Sequence, residues 1–163
     1  MREFEVLSES ANETRFLGKR VGERLRGGEI FLLSGPLGVG KTTFVQGIAA
    51  GLGIEGKVKS PSFVLERIYE GRLRLRHCDF YRLSEGEINE AGLLDDPDGE
   101  TVTVIEWAER AGTYPSFTVR VAFAFVPGSL DKRLMRLTVS SDEWGEIIGD
   151  ILSGRSDPSG PGN

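Results

Sequence analysis

The stretch Gly35-Pro36-Leu37-Gly38-Val39-Gly40-Lys41-Thr42 fits the phosphate-loop pattern G-x-x-x-x-G-K-[ST] at every position. These residue types match what a polyphosphate requires. Its oxygens need several donors converging at short range. Glycines let backbone N–H groups turn inward with no Cβ in the way. The backbone around Gly35, Gly38, Val39 and Gly40 is the expected cradle. Lys41 adds a mobile positive charge for the terminal phosphates. The Thr42 hydroxyl is placed to ligate Mg²⁺, with Thr43 in support. The motif points to nucleotide binding but not to the use made of the nucleotide.

A phosphate-loop enzyme also needs a carboxylate near the metal and a polar group to orient water. Val102-Thr103-Val104-Ile105-Glu106 is an apolar segment ending in an acid. Strand C-termini of an open sheet face the ligand crevice, so Glu106 is a candidate to act on Mg²⁺ directly or through water. Glu109 and Arg110, a turn further on, read as a solvated pair. The second acid is Asp79. Alternation along Leu73 to Tyr81 puts Leu73, Leu75, His77, Asp79 and Tyr81 on one face. Arg72, Arg74, Arg76, Cys78 and Phe80 take the other. Asp79 is therefore expected to orient water or bind metal. His77, the only histidine in the chain, is a candidate supporting partner, although a lone histidine is more often structural. The three arginines read as a solvated outer face, with contact to RNA or an acidic protein as the alternative.

The elements that must position these residues follow from periodicity and turn signals. Phe4 to Leu7 reads as a strand. Asn12 to Leu25 reads as an amphipathic helix with Asn12 as N-cap, ended by Gly27-Gly28. Glu29 to Ser34 is a strand buried on both faces, and a helix from Lys41 to Leu52 follows the glycine-rich turn. Phe63 to Glu70 and Leu73 to Tyr81 read as a hairpin. Ser84 opens a short helix to Ala91, with Glu87 completing a capping box. Asp95 to Gly99 is a loop. Strands are expected at Thr101 to Ile105, Phe117 to Val126 and Arg133 to Ser140, and a helix at Asp142 to Leu152. The expected architecture is one α/β domain over residues 1–152, a mixed sheet flanked by helices. Residues 153–163 are expected to be a disordered tail.

Composition bounds the rest. The chain has 163 residues, 39% of them hydrophobic and 28% charged, enough for one core. One cysteine, Cys78, rules out a disulfide-stapled scaffold. The longest apolar runs fall far short of the roughly 20 residues that span a bilayer. No signal-peptide pattern is expected at the N-terminus. The net charge of −5 argues against strong sequence-blind nucleic-acid binding.

Taken together, four segments resemble one family. They are the loop Gly35 to Thr42, Val58-Lys59-Ser60-Pro61-Ser62-Phe63, His77-Cys78-Asp79-Phe80-Tyr81-Arg82-Leu83, and Val104-Ile105-Glu106-Trp107. In this order and spacing they resemble the TsaE (YjeE-type) ATPases of tRNA threonylcarbamoyladenosine biosynthesis, over about residues 4 to 140. The resemblance implies a small P-loop fold, ATP and Mg²⁺ as cofactors, and a cytoplasmic protein. It implies that Lys41 and the loop bind phosphates, that Thr42 and Glu106 hold Mg²⁺, and that Asp79 is needed for hydrolysis. Ser60, Pro61, Ser62 and Phe63 would form a switch sensing the nucleotide. The segment around Ala11 and Thr14 would lie near the base, with a basic residue, Lys132 or Arg133, also binding nucleotide. The implied partners are the TsaD and TsaB proteins, with tRNA reached through that complex. In that scheme the chain hydrolyses ATP to permit repeated turnover and does not transfer the threonylcarbamoyl group.

Three other readings compete. A GTPase would need a guanine-reading Asn/Thr-Lys-x-Asp segment, which the sequence lacks. A small-molecule kinase would need an arginine-rich lid and an acceptor pocket, for which 163 residues leave little space. A nucleotide-dependent scaffold would not need both Asp79 and Glu106.

Overall fold

The computed structural model describes residues 1–61, 65–90, 98–111 and 116–154. Ser62 and Phe63 of the expected switch, Ala91 and most of the Asp95 to Gly99 loop lie outside them, as do residues 155–163. The strands are β1 (Arg2–Ser8), β2 (Ile30–Ser34), β3 (Glu66–Glu70), β4 (Arg74–Asp79), β5 (Thr101–Glu106), β6 (Val119–Phe125) and β7 (Arg133–Val139). The helices are α1 (Ala11–Glu23), α2 (Lys41–Gly51), α3 (Glu85–Glu90) and α4 (Asp142–Leu152), with a 3₁₀ turn at Ala108–Ala111.

The strands form one mixed sheet in the order β1-β7-β6-β2-β5-β4-β3. Its centre is parallel: β2 lies between β6 and β5, and β4 continues beyond β5. Antiparallel strands finish both edges, β7 and β1 on one side and β3 on the other. Central strands buried on both faces must be apolar throughout, and all six residues of β5 are buried. The larger core packs α1, α2 and α4 on one face around Phe31, Phe44, Ile48, Val104 and Ile148. A smaller one on the other face joins Leu32, Cys78, Phe80, Ile88 and Ile105. Among the described residues no helix is long and apolar enough to cross a membrane.

Several boundaries differ from expectation for local reasons. Ser10, not Asn12, caps α1: its hydroxyl accepts from Glu13 N at 3.1 Å, and Glu13 returns a bond to Glu9 N at 3.1 Å. That side-chain-to-backbone pairing outcompetes an Asn two residues later. Strand β4 stops at Asp79 because the chain turns there. The Asp79 carboxylate accepts from Tyr81 N at 2.8 Å, an Asx-type turn. Ser84 and Glu87 do form the expected capping box. Ser153 and Gly154 close α4 with backbone bonds to Gly149 and Ile151.

The basic row dissolves into three separate tasks. Arg72 lies before β4 and donates to the carbonyls of Leu25 and Gly22 at 2.8 and 2.9 Å, closing the C-terminal end of α1. Arg74 pairs with Glu70 and Arg76 with Glu66. Arg72 and Arg74 are exposed, as expected of a solvated face, but its far end is not, since Cys78 is fully buried.

Helices α1 and α2 touch backbone to backbone. A Cβ on Gly18 would stand 2.3 Å from the Phe44 carbonyl oxygen, and one on Gly47 would stand 2.1 Å from that of Arg15. Only hydrogen fits at these two positions.

Candidate nucleotide and metal site

Strand β2 ends at Ser34 and the chain enters the phosphate loop. Gly35 has φ +137°, and a Cβ there would meet the Phe123 carbonyl oxygen at 2.7 Å. Gly40 opens α2 at φ +117°, a left-handed conformation that glycine adopts without strain. The first turn of α2 therefore points its free amides at the loop's concavity. That concavity is a cavity of about 350 Å³ lined by Leu37 to Thr43, Ser60, Asp79, Tyr81, Glu106 and Trp107.

Asp79 and Glu106 are register partners at the C-terminal ends of β4 and β5. The sheet thus brings two acids, 27 residues apart in sequence, to one side of the loop. Thr42 Oγ1 donates to the Glu106 carboxylate, 3.1 Å from Oε1 and 2.9 Å from Oε2. His77 Nε2 lies 2.5 Å from Glu106 Oε2, with both side chains buried. Ser60 Oγ donates to Asp79 Oδ2 at 3.3 Å. Burial pushes the Asp79 carboxyl above the usual carboxylate range, helped by the charge of Glu106 and opposed by the Tyr81 amide.

Lys41 is buried and folded back on the loop. Its Nζ donates to the carbonyls of Gly35 and Pro36 and stands 3.7 Å from the centroid of the Trp107 ring. Burial lowers its ammonium from the ordinary lysine value, while Glu106, Glu109 and Asp79 hold it up. Trp107 reaches this position through a left-handed backbone, φ +57°. That conformation is uncommon outside glycine and recurs at functional sites. Its ring also packs on Tyr81, centroids 4.7 Å apart. Glu109 and Arg110 are both exposed, as expected, but each also reaches toward the site. Glu109 accepts from Gly35 N at 3.4 Å, and the Arg110 guanidinium stands over Tyr81.

A second cavity of about 140 Å³ opens on the other side of the loop. Ala11, Thr14, Thr43 and Arg133 line it, together with Leu130 and Asp131. The Arg133 Nε donates to the Val39 carbonyl at 2.9 Å, tying the β6–β7 turn to the phosphate loop. Lys132 turns away to Glu9, 3.6 Å distant. Leu130, Asp131 and the role of Glu109 were not expected. No motif marks a turn about 90 residues downstream of the loop it adjoins.

The oxygen donors suit Mg²⁺. That ion commonly takes one or two protein carboxylates and fills its shell with phosphate and water. No group of three or more histidine, cysteine, aspartate or glutamate side chains forms a metal cluster among the described residues. A cation here would lean on Thr42, Glu106 and the nucleotide.

A phosphate loop after a central parallel strand, with acids ending the adjacent strand β5 and β4 beyond it, defines an α/β protein of the P-loop NTPase class. The model of the family described as threonylcarbamoyl adenosine biosynthesis protein TsaE matches residues 8–133, and the chain belongs to that family. The TsaE protein of Treponema pallidum (strain Nichols) is 43% identical over 118 residues, 71% of this chain and 87% of that protein. The Streptomyces coelicolor TsaE protein is 35% identical over 147 residues, 86% and 99% of the two chains. The crystal structure of Bacillus subtilis YdiB superposes with a TM-score of 0.75 at 25% identity, covering 95% of this chain and 97% of that one.

Proposed function

We propose that the chain is a Mg²⁺-dependent ATPase of tRNA threonylcarbamoyladenosine biosynthesis, acting in the cytoplasm. It docks on the TsaD–TsaB complex and by ATP binding and hydrolysis supports repeated turnover without being the transferase. Family membership supports the pathway. The observation that carries the chemistry is the convergence of Thr42, Glu106 and Asp79 beside Lys41 in one cavity.

In this reading Lys41 leaves the Gly35 and Pro36 carbonyls for the terminal phosphate oxygens. Thr42 and Glu106 would hold Mg²⁺, which supplies charge neutralisation at the phosphates. Asp79 accepts a hydrogen bond from the attacking water and orients it. Ser60, at the start of the expected switch, already bonds that acid. A segment whose order depends on the terminal phosphate can bias a partner and release it on hydrolysis. The base would lie toward Ala11, Thr14 and Arg133.

The test is Mg²⁺-dependent ATP hydrolysis by the chain alone and with TsaD, TsaB and tRNA. Hydrolysis that changes rate with the complex, together with sustained tRNA modification, is expected. ATP binding without hydrolysis in every mixture would favour the scaffold reading. Lys41→Ala should weaken ATP binding by about 1.5–3 kcal/mol, the worth of a charge-assisted contact. Unchanged affinity by calorimetry would sink the phosphate-loop assignment.

A further inference from the structure

Glu106 Oε2 has two neighbours. Thr42 Oγ1 lies 2.9 Å away on the cavity side and His77 Nε2 lies 2.5 Å away within the sheet. His77 is fully buried, and among the described residues its Nδ1 has no hydrogen-bond partner. These facts fix where the ring hydrogen sits. A carboxylate only accepts, so Nε2 must donate. A hydrogen on Nδ1 would be a buried donor with nothing to receive it, a costly arrangement. An unprotonated Nδ1 is the cheaper orphan. We infer that His77 is a positioning residue: its Nε2–H holds the Glu106 carboxylate in the orientation that meets the Thr42 hydroxyl.

The carboxylate needs such a hold. Glu106 ends its strand, and a glutamate side chain has three rotatable bonds. Outer partners that orient a ligand typically change metal affinity 10–100-fold when removed. The inference rests on the proposal that Glu106 helps hold Mg²⁺. The hydrogen's location can be read without that proposal.

His77 is the only histidine, so long-range ¹H–¹⁵N correlation on the full chain shows a single imidazole. The expected pattern is the Nε2–H tautomer in wild type, and an Nδ1–H pattern would overturn the inference. The companion measurement is the Mg²⁺ concentration needed for half-maximal binding of a non-hydrolysable ATP analogue. His77→Leu fills the space without a donor and should raise that concentration roughly tenfold or more. Analogue binding in EDTA should not change. His77→Gln, which returns an N–H at similar reach, should recover part of the loss. A folded His77→Leu with wild-type Mg²⁺ dependence overturns the positioning role. If His77→Leu does not fold, the tautomer and the Gln variant decide. Wild-type binding that ignores Mg²⁺, alongside the Nε2–H tautomer, would instead overturn the metal assignment of Glu106.

Discussion

Asp79 keeps a carboxylate where burial opposes its charge and the neighbouring Glu106 adds to the opposition. Its folded-state affinity for a proton therefore exceeds that in the unfolded chain. The sign follows from linkage: protonation favours the fold, so stability from this group is present at low pH and lost as pH rises through the raised value. Asp79→Asn escapes that loss and can keep the bond from Tyr81 N. It should melt a few degrees higher than wild type at neutral pH, with the gap closing toward acidic pH, and should lose hydrolysis. Calorimetric scans across pH would check this, and a lower neutral-pH melting temperature would contradict it. Cys78 is the opposite case, a group without an assigned task. Burial pushes its thiol up to about 12, so iodoacetamide should leave the native chain unmodified and react only on unfolding. The sequence exposed Asp79, Glu106 and Lys41 through motif and alternation. It did not expose the hydrogen bond between His77 and Glu106, because pairing across neighbouring strands depends on register that one strand's pattern does not encode.

At the scale of elements, expectation succeeded where periodicity and caps acted locally. The strands around the loop and the helices α2 and α4 fall within a residue or two of their expected spans. It failed where side chains bind distant backbone. Arg72 looked like part of a charged strand face, but it spends two donors on carbonyls nearly 50 residues earlier. Arg72→Ala should cost about 1.5–3 kcal/mol, read as a lower urea midpoint with an unchanged slope. An unchanged midpoint would mean water serves those carbonyls equally well. The glycines of α1 and α2 carried no helical signal, yet they set how closely the helices meet. Gly47→Val forces a side chain against the Arg15 carbonyl and should cost about 3 kcal/mol or more.

For the whole molecule, the sheet's order turns a scattered sequence into one site. The loop follows β2, the acids end β4 and β5, and Arg133 begins β7, all reached from one end of the sheet. A ligand bound there ties several elements together. Saturating Mg·ATP analogue at 100 times its Kd should add about 2.7 kcal/mol to stability. For a chain this size that is a rise of roughly 5–10 °C in Tm. Hydrogen exchange should slow across the loop and around Ser60, and no slowing near Ser60 would argue against a switch beginning there.

The backbone contact between α1 and α2 has a mechanical side. Most helix pairs meet through interleaved side chains that can slip between rotamers and absorb a small displacement. Here two stretches of main chain meet with hydrogen alone between them. Main chain does not yield in that way, so α1 and α2 must travel as one rigid bar. One end of the bar is Ser10, next to Ala11 of the second cavity, and the other member starts at Lys41 in the phosphate-loop motif. A push on either helix would reach the other undamped, with no motion lost in the joint.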